Sequence, residues 1–217
     1  MSQNKTGILG GTFNPAHRGH VELGLRIKAA FGLDKILFIL SAQPPHKKLQ
    51  ALAAAELRLA MLQEALRPYP GLVPCDLELR RPGNSWTIDT VRQLKSESPG
   101  ERFYFITGSE GFLKIKTWKA YRQLLAEVFF IIVMRQGSHR PRVERLLQSE
   151  SIPIGTETGQ GPHPPQPPAA FLYAYASETL SLSATAIRKK VARKESVSPW
   201  VEESVRTIME ENKLYED

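Results

Sequence analysis

The sequence predicts an α/β fold with a doubly wound, mostly parallel sheet, on two observations. Short, β-rich apolar runs alternate with helix-like segments, the pattern of repeated βα units. Several of these runs, among them Ile36-Leu37-Phe38-Ile39-Leu40 and Phe129-Phe130-Ile131-Ile132-Val133, are continuously apolar. A strand covered by helices on both faces has no solvent side and so no reason to alternate. With 217 residues, 41% of them hydrophobic and 24% charged, the chain has the size and profile of one globular domain spanning 1–217. That length buries a core without disulfides or a structural metal.

The strands read as Thr6–Gly10, Lys35–Ser41, Leu72–Leu79, Arg102–Thr107, Val128–Met134 and Phe171–Ala176. Between them the spacing predicts helices at His20–Phe31, closed by Gly32, and at Ala55–Leu66, closed by Pro68. Further helices fit Ile88–Lys95, Trp118–Glu127, Pro141–Gln148 and Thr185–Arg193. A last helix over Pro199–Asn212 has Ser198 as its N-cap, Pro199 at the first position and Glu202 and Glu203 near its positive end. Val201, Val205, Ile208 and Met209 fall on one face of it, which points to packing. The stretch 152–168, with Gly155, Gly159, Gly161 and five prolines between 162 and 168, reads as a long loop, either a lid or an insertion.

Composition removes several classes. Cys75 is the lone cysteine, which excludes an intrachain disulfide and a Cys-rich zinc site and suits a reducing cytoplasm. Met1 to Lys5 lacks the pattern of a signal peptide, and no apolar run approaches the ~20 residues of a membrane span, so no membrane partner is expected. The net charge of +7 fits anionic ligands of several kinds. Its basic residues are dispersed and form no aromatic-plus-basic stripe, so nucleic acid is not the expected partner.

The chemistry concentrates in two segments. Gly10-Gly11-Thr12-Phe13-Asn14-Pro15-Ala16-His17-Arg18-Gly19-His20 lies between the first strand and the first helix. In a parallel sheet that turn is an anion site: glycines admit phosphate to the backbone, and the helix start supplies N–H donors and a partial positive charge. It is neither a P-loop nor a dinucleotide fingerprint. Taken as a bare spacing, His17 and His20 also fit capping or a metal site, although zinc would need more ligands. The second segment, Leu182-Ser183-Ala184-Thr185-Ala186-Ile187-Arg188, follows the last strand and opens a helix. Ser183 is a natural N-cap and Arg188 stands about one turn on, so this is either a second phosphate cradle or an ordinary capped helix with a solvated arginine.

Together the two segments resemble the HxGH-type nucleotidyltransferases, and from about Gly7 to Arg193 the chain resembles the bacterial nicotinate-nucleotide adenylyltransferases. The resemblance implies a Rossmann-like nucleotidyltransferase fold and transfer of the adenylyl group of ATP to nicotinate mononucleotide, giving deamido-NAD⁺ and pyrophosphate in NAD biosynthesis. It implies that His17, His20 and Arg188 act on the phosphates and that Gly10, Gly11, Thr12, Phe13, Gly108, Glu110, Ser183 and Thr185 bind ATP. It assigns the acceptor to His46, Lys47, Trp86, Thr87, Trp118 and Arg135, with Trp118 stacking on the pyridine ring and Thr87 receiving the carboxylate. Mg²⁺ is expected to arrive with ATP, held by phosphate oxygens and water, with no protein metal site.

Four positions depart from the family pattern: Asn14 and Glu110 stand where Asp is usual, Ala184 where a second Ser is common, and Lys119 where a Tyr often follows the stacking Trp. Other readings stay open. They are an adenylyltransferase for nicotinamide mononucleotide or phosphopantetheine, and a non-catalytic nucleotide-binding module. The sequence leaves open a monomer or a homo-oligomer.

Overall fold

The computed structural model describes residues 4–42, 52–135, 139–155, 166–175 and 183–216. In chain order the elements are β1 (Lys5–Gly11), α1 (Arg18–Phe31), β2 (Lys35–Leu40), α2 (Ala55–Leu66), β3 (Leu72–Cys75), α3 (Thr87–Glu97) and β4 (Arg102–Gly108). They continue with α4 (Ser109–Phe112), a 3₁₀ turn at Ile115–Thr117, α5 (Tyr121–Glu127), β5 (Phe129–Arg135), α6 (Arg140–Ser149), β6 (Ile154–Gly155), β7 (Ala170–Tyr175), α7 (Ala184–Ala192) and α8 (Glu203–Glu211).

Among the described residues the strands form one seven-stranded sheet in the order β3-β2-β1-β4-β5-β7-β6. Every pairing in it is parallel. The order runs outward from β1 in one direction and from β4 in the other, so the chain switches sides between them. At their carboxyl ends the connections diverge and leave a crevice, the usual ligand position of such a sheet.

The continuous apolar runs serve two cores at once, because successive strand residues point to opposite faces. Tyr104, Phe129, Ile131 and Phe171 pack with Phe31 of α1, Met61 of α2 and Met209 of α8 on one face. Phe103, Phe105, Phe130 and Ile132 pack with Val91 of α3, Phe112 of α4 and Leu147 of α6 on the other.

Local chemistry explains where the elements end. Gly32 closes α1 in the left-handed conformation (φ 56°), with its amide turned back to the Ala29 and Lys28 carbonyls. The strand expected over Leu72–Leu79 stops at Cys75, where a turn bonds the Leu79 amide to the Asp76 carbonyl at 2.8 Å. The helix expected over Trp118–Glu127 begins only at Tyr121: Trp118 is extended (φ −80°, ψ 144°) and Ala120 is left-handed (φ 49°). The last helix starts at Glu203 with Glu202 as its N-cap, in place of Pro199 capped by Ser198. The cause is tertiary. The Trp200 carbonyl turns away from a helical position and accepts the Arg18 amide at 2.9 Å. Within the stretch read as a loop, Ile154–Gly155 forms a short edge strand beside β7, and residues 156–165 lie outside the described set. No helix among the described residues is long and apolar enough to cross a membrane.

Candidate active site

Two clusters of the sequence-predicted residues meet at the carboxyl ends of β1 and β4. The first lines a cleft of about 360 Å³ and comprises Gly10, Gly11, Thr12, Thr87, Gly108 and Trp118. A Cβ built on Gly10 or on Gly108 would meet nothing within 4 Å. Packing therefore does not demand glycine at either place, and the space a side chain would fill is open to a ligand. Gly11 is different, since a Cβ there would come within 2.9 Å of the Phe13 ring. Phe13 is buried with a left-handed backbone (φ 43°), so it shapes the turn from below and offers a ligand only its backbone.

The second cluster stands beyond the Thr12 edge. His17 is the extended residue that begins α1, and His20 follows three positions on. The His17 amide donates to His20 Nδ1 at 3.3 Å, and the His20 amide donates to the His17 carbonyl at 2.9 Å. The two rings stack with centroids 3.7 Å apart, and Phe13 packs near-perpendicular to His20 at 5.1 Å. Because Nδ1 of His20 accepts, the proton of the neutral ring sits on Nε2, which makes that atom a donor. This reciprocal pairing extends the helix to Arg18, two residues before the expected start.

The Ser183–Arg188 segment reaches the same place. Ser183 caps α7, its Oγ accepting the Ala186 amide at 3.2 Å. Arg188 Nη1 donates to the Asn14 carbonyl at 2.7 Å and Nη2 to Thr185 Oγ1 at 3.3 Å. Two stretches separated by most of the chain are thus joined by one hydrogen bond. Neither Gly10–His20 nor Ser183–Arg188 contains a carboxylate. Within the two segments the basic groups are the imidazoles of His17 and His20 and the guanidinium groups of Arg18 and Arg188, set beside the positive starts of α1 and α7.

On the far wall, α3 begins with Thr87 after Trp86, whose carbonyl accepts the Asp89 and Thr90 amides at 3.0 and 3.2 Å. Trp118, extended in backbone, meets Phe105 near-perpendicular with ring centroids 5.7 Å apart. Trp86 does not line the cleft; Lys119 lies 5.9 Å from its ring and donates to Asp89 at 2.8 Å. Glu110 is exposed on α4, away from the cleft lining. Arg135 is the last residue of β5, and His46 and Lys47 lie outside the described residues.

Three residues of the site went unread in the sequence. Glu78 is buried in the cleft wall, accepting Thr90 Oγ1 at 2.6 Å and Ser41 Oγ at 3.3 Å, and so ties α3 to the end of β2. Arg58 is buried on α2, where burial pushes its pKa down while the Tyr215 phenol and Glu56 act against the shift. Tyr215 donates to Asn14 Oδ1 at 2.6 Å. The Asp-x-Glu spacing at 76–78 was visible but read as strand. Nothing local marks Arg58 or Tyr215, because their partners come from distant turns.

The family described as cytidylyltransferase-like matches residues 8–190. A Geobacter metallireducens protein named "Probable nicotinate-nucleotide adenylyltransferase" is 35% identical over 216 residues, covering 97% of this chain and 98% of that one. A protein of the same name from Desulfatibacillum aliphaticivorans is 35% identical over 217 residues, covering 97% and 99%. Among solved structures, Plasmodium falciparum nicotinic acid mononucleotide adenylyltransferase complexed with NaAD matches with a TM-score of 0.76 over 98% of both chains. Its sequence identity is 17%, so that likeness is one of fold. On the family match and on relatives alike over nearly their full length, the chain belongs to the cytidylyltransferase-like family and, within it, to the nicotinate-nucleotide adenylyltransferases.

Proposed function

We propose that this protein transfers the adenylyl group of ATP to nicotinate mononucleotide, forming deamido-NAD⁺ and pyrophosphate for NAD biosynthesis in the cytoplasm. The observation that carries the reading is the 2.7 Å bond from Arg188 to the Asn14 carbonyl, which turns two separate anion-binding segments toward one ligand. An oxygen of the acceptor phosphate attacks the α-phosphorus of ATP; the new P–O bond forms as the bond to the bridging oxygen breaks, and that electron pair leaves with pyrophosphate. The attacking phosphate is largely a dianion at neutral pH, so no side chain has to take a proton. Alignment and stabilisation of developing charge are what the protein supplies.

His17 and His20 contact the phosphates, His20 through its Nε2–H. Arg188, Ser183, Thr185 and the opening amides of α7 hold the β and γ end. Mg²⁺ enters as part of the substrate. The ion is held by phosphate oxygens and water. Adenosine takes the open space over Gly10 and Gly108, while Glu110, exposed on α4, stands outside that lining. His46, Lys47 and Arg135 meet the acceptor phosphate, and Trp118 stacks on the pyridine, with Trp86 and Lys119 as its outer surround.

Thr87 and the first amides of α3 receive the nicotinate carboxylate. A carboxylate only accepts hydrogen bonds, whereas a carboxamide would set its NH₂ against those N–H groups, and that difference favours the acid. Incubation with ATP, Mg²⁺ and either pyridine mononucleotide tests the reading: the acid should react with kcat/KM at least roughly 10-fold above the amide. Failure to form either dinucleotide rejects it. Trp118→Ala should raise the acceptor KM roughly 3- to 10-fold, the worth of one stacking contact, with kcat held within about two-fold. Steady-state kinetics with the acceptor varied at saturating ATP measures both.

A further inference from the structure

We propose that Tyr215, from the C-terminal tail, is a positioning residue for Arg188 and acts on it through Asn14. The inference rests on the adenylyltransferase reading, in which Arg188 grips the ATP polyphosphate.

Asn14 is only 1% exposed, and its two oxygens have separate duties. The backbone oxygen holds Arg188 Nη1 at 2.7 Å. The side-chain oxygen accepts Tyr215 OH at 2.6 Å and the Ala53 amide at 3.1 Å. A carbonyl that fixes a guanidinium does so only if its own peptide is held, and the side chain of the same residue is the handle. The neighbouring Phe13 is left-handed (φ 43°), so the turn occupies a sparsely populated conformation that its surroundings must maintain.

The tail is brought to this point by specific contacts. Arg18, in the first turn of α1, pairs with Glu202 at 3.0 Å and donates to the Pro199 carbonyl at 3.2 Å, while its amide bonds the Trp200 carbonyl at 2.9 Å. After α8 the Leu214 amide bonds back to the Met209 carbonyl at 2.8 Å, and Tyr215 then adopts φ 66°, turning its ring inward. The charged groups that act on the phenol are Arg188 and Arg58. Burial pushes its pKa well above that of an ordinary phenol and the two guanidinium groups only partly oppose this, so the hydroxyl stays protonated and donates. Removing that donor takes away the 2.6 Å bond on Asn14 Oδ1 and loosens the hold on the turn, which shifts the carbonyl that aims Arg188.

Tyr215→Phe keeps the ring's packing and deletes the hydroxyl. Steady-state kinetics with ATP and acceptor varied separately, calorimetric ATP affinity without acceptor, and the melting temperature are measured for both proteins. The ATP KM and dissociation constant should rise roughly 5- to 20-fold, the loss of one well-aligned charge-assisted contact, while the acceptor KM stays within about two-fold. Unchanged ATP constants in a protein whose wild type is active overturn the inference and leave the adenylyltransferase reading intact. An equal rise in both KM values together with a large fall in melting temperature also overturns it, since a merely structural tyrosine would act that way. If the wild type makes no dinucleotide, the reading falls, and the ATP affinities of the two proteins still decide whether Tyr215 acts on the polyphosphate site.

Discussion

His20→Ala should lower kcat by roughly 10²–10³ while moving the acceptor KM by no more than about two-fold, the expected loss of one preorganised donor to charge that grows in the transition state. The proposed donor is Nε2–H, and its direction is set by the protein before ATP arrives: the His17 amide occupies Nδ1 at 3.3 Å, the His17 ring stacks at 3.7 Å and Phe13 packs near-perpendicular at 5.1 Å. Such restraint costs nothing at the moment of reaction, which is why its removal should appear in kcat. His20→Asn is the informative companion. It keeps a polar group but cannot place both an acceptor for the His17 amide and a donor at the distance of Nε2, so it should recover little. A rate for His20→Ala within a few-fold of wild type would take the imidazole out of the proposed mechanism.

The two segments proposed to hold phosphate were legible in sequence because each is contiguous. A glycine pair, two histidines and a helix start follow one strand, and Ser183 caps another helix, so spacing alone shows that amides and basic groups share a turn. The inner strands were legible for a related reason, since burial on both faces leaves a continuous apolar run. What escaped depends on contacts remote in sequence. Trp118 reads as the start of a helix, yet Ala120 takes a left-handed conformation that no periodicity announces, and this releases Trp118 toward Phe105 and the cleft. Pro199 reads as a helix start until the Arg18 amide claims the Trp200 carbonyl. Asn14 looks like a loss beside the usual Asp. In the fold its neutral amide sits among Arg188, Tyr215 and Ala53 and uses a backbone oxygen, which Asp would also possess, for the contact with Arg188.

Arg58→Met should destabilise the protein by about 3 kcal/mol or more, lowering the melting temperature by roughly 6–12 °C for a chain of this size. Arg58 is 2% exposed and, among the described residues, has no carboxylate as a hydrogen-bond partner. Its Nε donates to the Ala53 carbonyl at 2.9 Å and its Nη1 to the Thr12 and Ser41 carbonyls at 3.1 and 2.8 Å. One guanidinium thereby joins the turn after β1, the end of β2 and the approach to α2, and methionine of similar length deprives those half-buried carbonyls of that donor. The functional consequence follows from the same contacts. Thr12 borders the cleft and Ala53 supports Asn14, so the residual folded enzyme should bind ATP more weakly than wild type. Arg58→Lys separates charge from geometry: it retains the cation but not the planar fork that serves the Ala53, Thr12, Ser41 and Ala42 carbonyls, so its melting temperature should lie between the other two. Calorimetric melting of the three proteins is decisive, and equal values for Met and wild type would show that these carbonyls do not depend on Arg58.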